Sequence, residues 1–251
     1  MNGKAESSIK NRVILVTGAG GAIGSAAAMA LASQGASIIL LGRTLPPLEK
    51  VYDAIIAAGH PQPAICPLDY ASATPREFLN VARLIQDEFG HLDGILHAAA
   101  SIGCLTPIEH YDLALWSRIL QINLTAPMLL TRACLDLLTL SDNASILFST
   151  SDIGYRGQAY WGAYGAAQAA IENLVETLAE ELEENTTIRV NSIDPGPIRS
   201  RLRALAFPGE DPNSLPKAEK VIPVYLHLMN VTQKSVTGSR IQAIKHSSYS
   251  A

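Results

Sequence analysis

"RVILVTGAGGAIGSAAAMALASQ", residues 12–34, decides the fold. Residues 12–17 form a short β-branched and leucine run bounded by glycine, the pattern of a strand buried on both faces. Residues 22–34 are alanine-rich and read as a helix, and "SIILLG" at 37–42 reads as the next strand. The unit is therefore β-α-β. Between its first strand and its helix lies "TGAGGAIG", Thr17–Gly24. A turn in that place sets unpaired backbone N–H groups and the positive end of a helix dipole where a pyrophosphate can sit. A glycine-rich turn alone is a weak signal; its position in the first β-α unit favours a dinucleotide over a bland turn.

The alternation continues outward. "LPPLEKVYDAIIAAG" (45–59), "PAICPL" (63–68), "TPREFLNVARLIQDEFG" (74–90), "LDGILHA" (92–98), a long helix over 111–139, "ASILFST" (144–150), a helix over 160–184 and "IRVNSI" (188–193) follow in turn. Crossover helices return each strand to the same direction with right-handed sense, so the sheet is expected to be parallel. A seventh strand is expected in "VTGSRIQAI", 236–244. The fold class is α/β, a Rossmann-like doubly wound parallel sheet of seven strands with helices on both faces. No repeat, low-complexity tract or Pro/Gly linker divides the chain, so one domain is expected over 1–251. Residues 199–216, "RSRLRALAFPGEDPNSLP", break the alternation and read as a mobile lid over the site.

With 251 residues, 48% hydrophobic and 17% charged, the chain can bury a sizeable core. A formal net charge of −4 and the lack of any block of five like charges argue against a nucleic-acid partner and for a small-molecule one. The start "MNGKAESSIK" lacks an apolar signal region, and no uninterrupted apolar stretch approaches the ~18 residues of a membrane span, so a soluble, cytoplasmic protein is expected. Cys66, Cys104 and Cys134 are far apart with no CxxC and no histidine pair, which suggests packing cysteines and no metal site.

Cofactor choice is written at the end of the second strand, where an acidic side chain would bind the ribose 2′-hydroxyl of NAD and repel a 2′-phosphate. Gly42 and Arg43 stand there instead, and an arginine fork suits a phosphate, so NADP is favoured over a merely solvated arginine. Asp69, after the third strand, is open to two readings: a partner for the adenine amino group or a helix cap.

These residues, read with Asn123 in "NL", "STS" at 149–151, "YGAAQ" at 164–168 and "DPGPIRS" at 194–200, resemble the short-chain dehydrogenase/reductase family over almost the whole chain. The family's turn is TGxxxGxG, and its catalytic set is Asn, Ser, Tyr and Lys, with YxxxK on one helix and the serine thirteen residues before the tyrosine. Ser151 and Tyr164 keep that spacing. "ILLGR", "LDGILH", "WGAY" and "AFPGEDPNSLPKAEKVIPVYLHLM" look like the YciK-like branch of bacterial oxidoreductases. The resemblance implies a catalytic set of Asn123, Ser151, Tyr164 and position 168. It also implies dinucleotide contacts from Gly18, Gly20, Gly21, Ala22, Ile23, Gly24, Arg43, Asp69, Ala99, Tyr164, Gln168, Pro195, Gly196, Ile198 and Ser200. Paired helices across a two-fold axis, and hence a homodimer or homotetramer, are implied as well.

Three departures stand out. Ala22 replaces the middle glycine of the turn and adds a methyl group where pyrophosphate approaches the backbone. "HAAA" at 97–100 replaces NNAG, so Ala98 lacks an asparagine amide that braces the sheet. Gln168 replaces the lysine. Positions 164 and 168 share one helix face. Tyr164 would donate a proton to a carbonyl, or remove one from an alcohol, and an unperturbed tyrosine has a pKa near ~10. The lysine ammonium lowers that value and holds the nicotinamide ribose; a glutamine amide can hydrogen-bond the ribose but carries no charge. No lysine occurs between Lys50 and Lys217 to substitute. Arg156 and Arg199 are the charged residues expected nearest the cleft, and His97 and His110 are alternative acids for which structural roles are favoured. Two functions compete. One is a slow NADP(H)-dependent oxidoreductase acting on a carbonyl or alcohol; the other is a catalytically impaired dinucleotide-binding protein with a regulatory or partner-binding role.

Overall fold

The computed structural model describes residues 9–231 and 236–244. The strands are β1 (Val13–Thr17), β2 (Ser37–Gly42), β3 (Ala64–Pro67), β4 (Gly94–His97), β5 (Ser145–Ser149), β6 (Arg189–Asp194) and β7 (Arg240–Gln242). They form one sheet in the order β3-β2-β1-β4-β5-β6-β7, every neighbouring pair parallel. β1 pairs with β2 on one side and β4 on the other, so the chain reverses direction across the sheet at β1 and opens a crevice at the strands' carboxyl ends.

Alternation along the strands feeds two cores. Val13, Leu15, Ile39 and Leu41 face α3 (Pro75–Phe89), α5 (Ala126–Thr139) and α6 (Gly162–Glu183). Ile14, Val16, Ile38 and Leu40 face α1 (Ala22–Ser33), α2 (Leu45–Ala57) and α8 (Ile222–Asn230). Because both faces are covered, β1 is buried at all five positions, which is why its sequence is a continuous apolar run.

Four elements differ from the sequence expectation. The long helix is not regular: α4 (Leu113–Leu120) passes through a π-helical turn, Gln121–Thr125, into α5. Leu113–Thr139 spans 27 residues at a mean hydropathy of 1.2, long and apolar enough by that measure to cross a membrane; here it packs against α3 and α6, and Arg118, Arg132 and Asp136 interrupt it. The helix α8 was not anticipated. The 199–216 excursion contains α7 (Arg201–Ala206) and a 3₁₀ turn, Pro212–Ser214. β7 is shorter than 236–244, and the stretch before it, 232–235, lies outside the described residues.

Two buried arginines close the amino-terminal end of the sheet. Arg12 donates to the carbonyls of Asp93 (2.7 Å), Asn143 (2.6 Å) and Met229, and Arg189 donates to Leu228 O (2.8 Å) and Asn143 Oδ1 (3.0 Å). Leu228 and Met229 are in the last turn of α8, where carbonyls lack helical partners and a cation complements the dipole. Asp93 completes the network by accepting from Val13 N (2.7 Å) and Ser141 Oγ (2.6 Å).

Candidate active site

At the opposite, carboxyl-terminal end the described residues enclose a cavity of about 1120 Å³. Its nucleotide side is built by the β1–α1 turn. Gly18 has φ +61°, and a Cβ there would lie 2.7 Å from Ala98 O, so any side chain would meet strain and a backbone clash together. Gly18, Gly20, Gly21, Ala22 and Ile23 border the cavity, as do Arg43, Asp69 and Ala99. Gly24 does not. A Cβ on it would sit 2.2 Å from Gly18 O, so this glycine lets the helix close onto the turn instead of touching a ligand. Asp69 borders the cavity and accepts from Ala71 N at 3.1 Å within a turn, while the cap of α3 is Thr74, so Asp69 is not a helix cap. The asparagine missing at 98 is compensated from β1: Thr17 Oγ1 accepts from Ala98 N (3.1 Å) and Ala99 N (3.2 Å).

The other side carries Ser151 after β5 and Tyr164 in the first turn of α6. Ser151 Oγ donates to Asp152 Oδ1 at 3.1 Å. The Tyr164 ring packs at 5.7 Å from Trp161 and is 5% exposed. Burial pushes its phenol well above the usual tyrosine value, and the Asp194 and Asp152 carboxylates push it further the same way. Pro195, Gly196, Ile198 and Ser200 border the same cavity, with α7 residues Arg201, Leu202, Leu205 and Ala206, then Phe207, forming its outer wall. Within that wall Arg203 is locked to Glu210 by bonds of 2.6 and 2.7 Å and lies 3.7 Å over Phe207.

Gln168 is one turn below Tyr164 but does not border the cavity. It is buried, packs beside Gly154, and its Oε1 has no hydrogen-bond partner. Asn123 also lies back from the cavity. Its Oδ1 accepts from Ser101 N (2.9 Å), while Nδ2 donates to Ser101 O and Ile119 O, both at 2.8 Å. The π turn leaves the Ile119 carbonyl available to that amide, a local irregularity of the kind that recurs at functional sites.

Of the two arginines expected near the cleft, Arg156 borders it, whereas Arg199 is tied to Pro212 O at 2.7 Å outside it; Arg201 takes that place. Neither histidine is on the cavity. His97 bonds Thr131 Oγ1 at 2.9 Å and stacks on Phe148, with burial lowering its pKa to about 3. His110 is exposed beside Glu109. A cation that sequence reasoning missed, Arg240 on β7, reaches the back of the site, 3.5 Å from Ser151 O and 3.8 Å from Asp194 Oδ2.

The site fits a dinucleotide. Its turn is closed against protein on one side by glycines that admit no Cβ and open to the cavity on the other, with Arg43 on the cavity wall after β2.

Comparison with known proteins agrees with this geometry. The family profile for short chain dehydrogenase matches residues 12–211. The uncharacterised oxidoreductase YciK of Escherichia coli K12 is 38% identical over 94% of this chain and 92% of its own length. A short chain dehydrogenase structure from Pseudomonas syringae superposes with a TM-score of 0.92 at 45% identity, covering 95% of this chain and 97% of that one. One from Escherichia coli CFT073, solved in complex with NADPH, gives 0.91 at 38% identity, covering 96% and 99%.

Proposed function

The chain belongs to the short chain dehydrogenase family, and from that premise we propose that it is an NADP(H)-dependent oxidoreductase of a small carbonyl or alcohol, with Tyr164 as its acid–base group. One observation carries the reading: a single cavity joins the glycine turn and Arg43 to Ser151 and Tyr164. The NADPH-bound relative and the absence of an acidic residue after β2 support NADP over NAD. When bound, the dinucleotide supplies or accepts the hydride.

The chain's own residues do the rest. The Gly18–Ile23 turn holds the pyrophosphate through the N–H groups left after Ala19 N bonds Leu41 O and Gly21 N bonds Gly18 O, with Gly24 shaping the turn. Arg43 pairs with the 2′-phosphate, Asp69 with the adenine amino group, and Ala99 flanks the adenosine. Pro195, Gly196, Ile198 and Ser200 receive the carboxamide. Ser151 Oγ donates to the substrate oxygen and Tyr164 gives up its phenolic proton to it. A phenol whose pKa is raised stays protonated at neutral pH, which suits carbonyl reduction and opposes alcohol oxidation. Gln168 contributes an unpaired amide oxygen and no charge, so turnover is slow. The lid is residues 199–216 of a single domain over 1–251. Leu113, 79% exposed, and Leu140, 63% exposed, suit pairing with a second copy as a homodimer or homotetramer.

A second reading, a dinucleotide-bound protein without useful catalysis, is favoured by the two carboxylates acting on Tyr164 where the family has an ammonium. The deciding experiment has two stages. Fluorescence titration should show NADPH bound more tightly than NADH, with Arg43→Ala removing roughly 1 to 3 kcal/mol of NADPH affinity; equal affinities would overturn the NADP assignment. A carbonyl and alcohol panel then compares the protein with Gln168→Lys. A two-unit fall in the tyrosine pKa raises the phenolate fraction about a hundredfold at neutral pH, so alcohol oxidation should gain most. An unchanged rate and pH profile in a folded, NADPH-binding variant would move the assignment to the second reading.

A further inference from the structure

Gln168 leaves a charge problem behind the site, and the structure contains one arrangement that answers it. Asp194 ends β6, is 2% exposed, and accepts from Gly196 N at 2.9 Å. Glu172, one turn beyond Gln168 on α6, is bonded through Oε2 to Ser192 Oγ at 2.6 Å, while its buried Oε1 has no hydrogen-bond partner. Asp194 is one of the carboxylates that act on Tyr164, and Glu172 lies two turns beyond Tyr164 on α6. Arg240 reaches both from β7: Nη2 is 3.8 Å from Asp194 Oδ2 and Nε is 3.7 Å from Glu172 Oε1. Its guanidinium carbon is 3.2 Å from the centroid of the Tyr155 ring, and Nη2 donates to Ser151 O at 3.5 Å. Gln242, two residues on, donates to the Tyr155 hydroxyl at 2.8 Å and holds that ring in place.

We propose that Arg240 is a positioning residue of this site: it counters the carboxylate beside Tyr164 and fixes the Ser151 backbone, taking over part of the role that the absent ammonium would have filled. The proposal rests on Tyr164 being the acid–base group. Its physics is Coulombic rather than a matter of hydrogen-bond geometry. Contacts of 3.5 to 3.8 Å are long for hydrogen bonds, but opposite charges at that range in a mostly buried cluster still interact strongly. The ionisable groups around Tyr164 come from every neighbouring element. Asp152, in the turn after β5, and Asp194, on β6, act on Tyr164 directly; Tyr225 on α8 faces Asp194, and Glu172 is two turns further along α6. Tyr111 shares its apolar cluster before α4, and Arg156 and Arg201 are on the cavity wall. Arg203 is already engaged by Glu210. Among these, Arg240 is the cation placed against Asp194.

The test is the pH profile of alcohol oxidation at saturating NADP, with Arg240→Met, Arg240→Lys, Asp194→Asn and the Arg240→Met/Asp194→Asn pair. Methionine keeps an apolar stem over Tyr155 and removes the charge; asparagine can still accept from Gly196 N. Arg240→Met should move the inflection for Tyr164 upward by about one pH unit, which lowers turnover below that inflection about tenfold. Arg240→Lys should retain most of the parent profile, and adding Asp194→Asn to Arg240→Met should bring the inflection back. No loss of alcohol-oxidation turnover in Arg240→Met, or a loss that Asp194→Asn does not reverse, overturns the proposal. Tyr164→Phe separates the two layers. If it retains the parent activity, the acid–base reading fails and this inference with it; if it is inactive and Arg240→Met leaves the profile in place, only Arg240 is dismissed. Should steady-state turnover be too slow to follow, the same tenfold loss and its reversal by Asp194→Asn are read from single-turnover formation of NADPH with the protein in excess over NADP, and no loss there is equally decisive.

Discussion

The two ends of the sheet carry comparable numbers of buried polar side chains and treat them in opposite ways. At the amino-terminal end, Arg12, Arg189, Asp93 and Ser141 bond one another's backbones and side chains or the last carbonyls of α8, with Asn230 Oδ1 at the end of α8 the exception among the described residues. At the carboxyl-terminal end, Tyr70 OH, Thr150 Oγ1, Gln168 Oε1, Glu172 Oε1 and Arg240 Nε are buried without a hydrogen-bond partner. A satisfied network in low dielectric holds one conformation; an unsatisfied one leaves bonding capacity for something else. Tyr70 and Thr150 border the cavity, where a ligand or water can meet them. One end is built for stability and the other for binding.

The largest expected effect breaks the satisfied end. Arg12→Met removes the donor to the carbonyls of Asp93, Asn143 and Met229, and each buried acceptor left unsatisfied costs about 1–3 kcal/mol, while the Asp93 carboxylate keeps Val13 N, Ser141 Oγ and His91. Urea unfolding should show that loss, while NADPH affinity of the folded variant stays as it was, because the site is at the other end. A loss under about 1 kcal/mol would mean that solvent replaces the network easily and that the contrast between the ends is not energetic.

The same contrast explains what could be read from sequence. Strands buried on both faces favour continuous apolar runs, so β1, β2, β4 and β5 were legible; the half-buried edge strand β3 and the polar β6, "RVNSID", were legible from their alternation with helices, and with them the doubly wound class, the glycine turn and the Ser151–Tyr164 spacing. Irregularity inside a regular pattern was not. "QINLT" at 121–125 carries no proline or glycine to announce a π turn, yet that turn places Asn123. "IPVYLHLMN" is short and rich in β-branched and aromatic residues, so its period cannot separate strand from helix; α8 is settled by arginines over 200 and almost 40 residues away that take up its carbonyls (|i−j| 217 and 39). Arg240 was missed for a related reason. Its partners come from β5, β6 and α6, and no local motif joins them. Arg199 and Arg201 are two residues apart, and only the start of α7 decides which one faces the cavity.

His97 lies between the two regimes and gives a smaller, pH-dependent effect. Its Nε2 is bonded to Thr131, but its buried Nδ1 is unpartnered, and it is held neutral with a pKa of about 3 against 6.5 when unfolded. The unfolded chain therefore binds a proton below pH ~6.5 that the folded chain refuses, so stability is present above that value and falls as pH falls through it. Each unit below the unfolded pKa costs about 1.4 kcal/mol, or roughly 2 kcal/mol at pH 5. His97→Asn has no such proton to take up, so the stability difference between the two proteins should shift by that amount between pH 7 and pH 5. A difference that stays constant would show that the folded protein admits a proton or water at Nδ1.

The smallest effect sharpens the binding end. Ala22 is the first residue of α1, with Gly21 as its cap, and borders the cavity where the family has glycine. With a dinucleotide bound as proposed, its methyl group would hold a phosphate slightly away from the turn's N–H groups, and it also favours the helix. Ala22→Gly should therefore tighten NADPH while weakening the fold. The helix cost is at most the ~1 kcal/mol that separates glycine from alanine in an interior, and less at a first turn. The binding gain is one better-aligned charge-assisted contact, about 1 kcal/mol or roughly fivefold in Kd. Gly18, Gly20 and Gly21 already give the turn its shape, which is why the gain is small. Paired measurements of NADPH Kd and urea midpoint on both proteins read the two terms separately. Tighter binding with a lower midpoint is the expected outcome. An unchanged Kd would mean that the methyl group points past the phosphates, and that the turn tolerates alanine because the ligand never approaches it.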